Sequence, residues 1–219
     1  MTYLSGQLVV LLLFRAASIQ TETEALQRPS YVITSYLLGG GVMLAVLGYV
    51  FRRLYTARSR LFKKLQWADV LTVVLGYGSY VFFSRLLLLL VQAIFPAFNL
   101  GQNQAIGLPR DLEASLLIPA FLALCVIPPL TEEMLFRGFL YGRLKAWPMK
   151  PWVAAIITST LFGLLHGQAN VAIDTFVLSM VMVYAYESRK NNLWVPVLIH
   201  ATKNLVAFVV LFVLKLPVG

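Results

Sequence analysis

The chain has 219 residues, of which 59% are hydrophobic and 12% charged, and its mean hydropathy is +0.79. A soluble domain carries about 25% charged residues, so this composition excludes an ordinary soluble domain and points to a chain that crosses a membrane repeatedly. The formal net charge of +9 would suit nucleic acid, but the basic residues cluster between apolar stretches in the positive-inside pattern, and nucleic acid is not an expected partner.

In chain order, an apolar stretch from Leu4 to Ile19 comes first. Met1-Thr2-Tyr3 lacks the basic start of a cleaved signal peptide, so the stretch is expected to be a retained membrane helix. A polar loop from Thr21 to Ser30 follows, and residues 31–50 predict a spanning helix. Arg52, Arg53, Arg58, Arg60, Lys63 and Lys64 then form a run with no acid among them, expected on the cytoplasmic side, where it can also meet anionic lipid. Residues 68–98 are long for one span of about 20 residues, so they are expected to tilt or to emerge. Arg85 within them should snorkel or pair with a neighbouring helix. Residues 99–111 predict an outer loop.

Residues 112–147 carry Pro128-Pro129, which should break or kink the helix. The carbonyls that the prolines free need partners, and Glu132-Glu133 should begin the helical part that follows. The single cysteine, Cys125, excludes an intrachain disulfide and reads as a packing residue. There is no Cys/His zinc-finger spacing. Arg143, Lys145 and Lys150 mark a second basic loop. Residues 152–168 cross back, residues 172–187 return, Arg189-Lys190 mark a third basic loop, and residues 193–215 make the last crossing. The expected fold is therefore an all-α polytopic transmembrane bundle of about seven crossings, with all three basic loops inside. It shows no soluble domain and no periodic repeat.

Ionisable groups at membrane depth are costly and usually serve a function. With the second basic loop centred on Met149, Glu132 lies 17 residues before it and His166 lies 17 after it. At about 1.5 Å per residue the two reach one height in an antiparallel pair. Asn204 lies about 20 Å along the last helix and His200 about one turn lower. His200 and Asn204, spaced i,i+4, share a helix face. Glu133 and Arg137 have the same spacing and should pair, which leaves Glu132, about 100° around the helix, as the free carboxylate. Each group has a plainer reading as helix staple, satisfied core histidine or interhelical glue. Their arrival at one level favours a hydrolytic cluster.

Thr131-Glu132-Glu133-Met134-Leu135-Phe136-Arg137-Gly138 looks like an EExxxR motif, Phe162-Gly163-Leu164-Leu165-His166 like FxxxH, and His200-Ala201-Thr202-Lys203-Asn204 like HxxxN, with Leu193-Trp194-Val195-Pro196 before it. Each alone is weak. Together, in order, they resemble the CPBP family of intramembrane proteases, which includes type II CAAX prenyl endopeptidases and bacterial proteins linked to bacteriocin processing or immunity. The resemblance covers residues 112–215 as a protease core and leaves 1–111 as membrane helices without a recognised motif.

The resemblance implies endopeptidase action on a membrane-associated protein or peptide, with membrane lipid as the other partner. Glu132 and His166 would activate water, His200 and Asn204 would stabilise the oxyanion, and Glu133 and Arg137 would hold the motif helix. This agrees with the residues themselves, since apolar surroundings make a carboxylate a usable base and donors on one face can meet developing charge. No cofactor is favoured. The alternative is zinc on Glu132, His166 and His200, although there is no HExxH motif and the two histidines lie on different helices. Substrate is not encoded in these motifs. The compact chain, lacking a eukaryotic targeting signal, suggests a bacterial cell membrane. The competing readings are a non-catalytic immunity or partner-binding membrane protein and a small transporter, the latter disfavoured by the lack of an inverted repeat.

Overall fold

The structure, a computed structural model, describes residues 28–54, 61–100 and 108–216. The expected first helix, residues 21–27 of the polar loop after it, Arg58 and Arg60, and most of the expected outer loop lie outside the described residues. Within them the helices are α1 (Pro29–Leu54), α2 (Trp67–Ile94), α3 (Ala114–Lys145), α4 (Pro151–Leu164), α5 (Ala169–Ser188) and α6 (Trp194–Val213), with no strand. All except α4 are long and apolar enough to cross a membrane. α2 leaves Leu71, Val74, Leu75, Phe82 and Leu89 exposed. Water would disfavour so continuous an apolar face, whereas lipid suits it. The chain is an all-α integral membrane protein.

Two compact units divide the described chain. The first holds α1, α3 up to Thr131, and α6 from Asn204. Its core gathers Ile33 of α1, Ala120, Ala123 and Cys125 of α3, and Phe208 and Phe212 of α6. Cys125 is thus a buried packing residue.

Of the break or kink expected at the double proline, the break is absent. α3 is not broken at Pro128-Pro129, because helix continues from Ile127 to Glu133. Wide π-helical turns lie on either side, at Leu122–Val126 and Met134–Tyr141. Such turns absorb a local mismatch in the hydrogen-bond ladder without ending a helix. Leu124 stands four residues before Pro128 and five before Pro129, so its carbonyl can receive no N–H at either the α or the π spacing. Asn204 Nδ2 donates to it instead at 2.8 Å.

The second unit holds α2, the rest of α3, α4, α5 and the first turns of α6. Its core includes Tyr80, Phe136, Phe162, Leu178, Met182 and Ile199. α4 and α5 approach so closely at Gly163 that a Cβ there would stand 2.5 Å from the Ala172 carbonyl oxygen. The connection between them turns at Gly167, whose φ of +82° is the left-handed conformation that glycine adopts freely.

The basic segments of this unit gather at one end. Lys63 N donates to Asn192 Oδ1 at 3.1 Å, Leu193 N to Leu61 O at 2.8 Å, and Arg189 Nε to Asp69 Oδ1 at 2.6 Å. Lys145 pairs with Glu187. Trp67, Trp147 and Trp152, strongly exposed, lie beside these same segments, as befits indole rings at a membrane–water boundary.

Candidate active site

Three of the motif residues meet directly in the second unit. Glu133 and Arg137 pair across one helical turn, Arg137 Nη1 standing 3.0 Å from Oε1 and 2.9 Å from Oε2. Both are almost fully buried, at 0% and 1% exposure, so neither charge could stand without the other. His200 of α6 bonds the same carboxylate through Nδ1, 3.0 Å from Oε1. Arg137 is also anchored from α5, where Nη2 donates to Ser179 O at 3.1 Å and Ser179 Oγ at 2.7 Å, and Ser179 Oγ donates to Ser159 Oγ of α4 at 2.9 Å. One polar chain, Ser159–Ser179–Arg137–Glu133–His200, therefore crosses four helices.

Glu132 is half-buried, and no side-chain hydrogen bond or ion pair engages its carboxylate among the described residues. Its neighbour Glu133 is committed to two partners, so the two adjacent acids have opposite circumstances.

His166 corrects an expectation. It does not lie on the crossing helix but in the turn after α4 ends at Leu164, with its backbone N donating to Gly163 O at 3.0 Å. The turn forms because Gly167 supplies the left-handed step that closes the helix end. Phe136 and Phe162, each one turn nearer to Met149 than Glu132 and His166, stack edge-to-face at 5.0 Å between ring centres.

A carbonyl oxygen can only accept, so the 2.8 Å contact of His166 Nδ1 with Phe162 O assigns the proton to Nδ1 and leaves Nε2 as the available nitrogen. His200 likewise gives Nδ1 to Glu133 and keeps Nε2. Both imidazoles pack on Phe162, with ring centres 5.0 Å and 5.7 Å away, and the Arg137 guanidinium lies 4.9 Å from the same ring centre. Among the described residues no three His, Cys, Asp or Glu side chains converge as a group able to hold a metal ion.

Sequence reasoning did not single out Phe162 as the ring beneath both histidines, nor Ser159 and Ser179 as anchors of Arg137. It also passed over Asp174. This acid of α5 accepts hydrogen bonds from Tyr80 Oη at 2.9 and 3.0 Å and from Ser84 Oγ, with Lys203 Nζ 3.8 Å away. Phe162 was visible as the first letter of FxxxH, and Asp174 as an acid two turns into an apolar helix. The serines gave no signal.

The family model described as type II CAAX prenyl endopeptidase Rce1-like matches residues 114–206. Over residues 114–206 the chain is thus similar to the Rce1-like family. The match spans every motif residue from Glu132 to Asn204. The UPF0177 protein YxdF of Lactococcus lactis is 34% identical over 81 residues, covering 36% of this chain and 43% of that protein. An uncharacterized 24.3 kDa protein of Escherichia coli is 33% identical over 89 residues, covering 38% of this chain and 40% of that one. The chain thus matches less than half the length of these curated relatives. No solved structure matches it significantly.

Proposed function

We propose that this Rce1-like chain is an intramembrane endopeptidase that hydrolyses a peptide bond of a membrane-associated protein or peptide. The observation that carries the reading is the contrast between the two adjacent acids. Glu133 is locked between Arg137 and His200, while among the described residues no side-chain partner engages the Glu132 carboxylate. A structural carboxylate at this depth would have been paired.

Glu132 takes a proton from a water that also donates to His166 Nε2, and the resulting hydroxide attacks the scissile carbonyl carbon. The tetrahedral oxyanion is met by His200 and, one turn along α6, by Asn204. His200 can donate through Nε2 only as imidazolium, because its Nδ1 proton is held by Glu133. Collapse breaks the C–N bond, and the proton held by Glu132 passes to the departing amine.

The test uses purified protein in proteoliposomes with membrane-anchored peptides, read by mass spectrometry. Wild type should release two fragments, and His166→Ala should release neither. Peptides left intact by wild type across the panel would favour a non-catalytic membrane protein of the same fold.

A further inference from the structure

We infer that Asn204 is a positioning residue whose amide stands in for the backbone N–H that Pro128 and Pro129 remove from α3. The inference goes beyond the oxyanion role given to Asn204 above and uses a different hydrogen of the same amide. Four observations carry it, all within one unit. Leu124 O has a proline at both spacings from which a helical N–H could reach it. Asn204 Nδ2 donates to that oxygen at 2.8 Å. The surroundings are the apolar core of Ala120, Ala123, Cys125, Phe208 and Phe212. Phe121 and Phe208 close this core edge-to-face at 5.8 Å.

Within a membrane-spanning helix a backbone carbonyl left without a donor is costly. The double proline therefore creates a need that one side chain of α6 meets. The primary amide has two N–H groups. Leu124 O takes one, which fixes the plane and rotamer of the side chain and leaves the other in a defined direction. The order of dependence follows. Prolines make the open carbonyl, the carbonyl orients Asn204, and only an oriented Asn204 can be a useful donor.

The experiment is a double-mutant cycle on the full chain in detergent. Asn204→Leu is made in the natural background and in one carrying Pro128→Ala and Pro129→Ala, which restores an N–H at both spacings. Melting temperature and peptide cleavage are read for all four proteins. In the natural background Asn204→Leu should lower the melting temperature by roughly 5 °C. In the alanine background the drop should fall to less than half, because the backbone now serves Leu124 O. If the double proline replacement yields no folded protein, Pro128→Ala alone carries the same cycle at the α spacing. An equal melting drop in both backgrounds would overturn the inference. The cleavage arm is separate. Asn204→Leu should slow cleavage by about 10²–10³ in the natural background and by much less in the alanine background, where Leu124 O no longer orients the amide; a penalty unchanged by the proline replacements would overturn the order of dependence.

Discussion

At the scale of single residues, Glu133 carries the heaviest structural duty of the motif. It neutralises Arg137, receives His200 Nδ1 and lies fully buried. Removing one partner from such a pair strands the other charge, at a cost of about 3–5 kcal/mol. Glu133→Ala and Arg137→Ala should each lower the melting temperature in detergent markedly, and an unchanged melt in both would contradict the ion pair as a stabilising unit. His200 divides the two chemistries that the sequence left open. If it is an oxyanion donor, His200→Ala should slow cleavage by about 10²–10³, and elemental analysis should find no zinc to lose. About one zinc per chain, lost together with activity in His200→Ala, would replace the metal-free mechanism with a zinc-dependent one.

At the scale of elements, close helix contact is the feature most open to test. Gly163 faces the Ala172 carbonyl, a backbone atom that cannot rotate away. Gly163→Ala should force α4 from α5 and cost about 1–3 kcal/mol, whereas Gly41→Ala on α1, with nothing within 4 Å of the new Cβ, should melt as wild type. A Gly163→Ala protein as stable as wild type would show that the two helices can separate freely. The helices themselves were legible because long apolar runs between basic clusters leave few alternatives. The Glu133–Arg137 contact was legible because i,i+4 spacing fixes proximity on a helix. The π turns around Pro128-Pro129 were not, since proline chemistry says that carbonyls are freed but not whether a distant side chain will take them. The end of α4 was missed because Leu164 and Leu165 continue the apolar pattern, while the stop comes from the conformation of Gly167. The links from Ser179 to Arg137 and Ser159 depend on α4–α5 packing, which no local pattern encodes.

At the scale of the whole molecule, the hydrogen bonds linking the segments around Lys63, Lys145 and Arg189-Lys190 put three basic regions at one end of their unit. Cysteines placed at Lys64, Lys150 and Lys190 should therefore share one accessibility to an impermeant thiol reagent in intact cells, and by the positive-inside rule all three should be protected. Cys125 is buried and should contribute little background. Labelling of one site but not the others would break the common side. Above this orientation stands the claim that the membrane-embedded chain is a peptidase driven by Glu132. The most direct measurement is the cleavage rate of a membrane-anchored peptide by wild type and by Glu132→Gln at equal amounts of folded protein. The amide variant should fold and melt as wild type, because no side-chain partner engages Glu132 among the described residues, while its rate falls by about 10²–10⁴, the span of a lost general base. Cleavage by Glu132→Gln at the wild-type rate would contradict the claim.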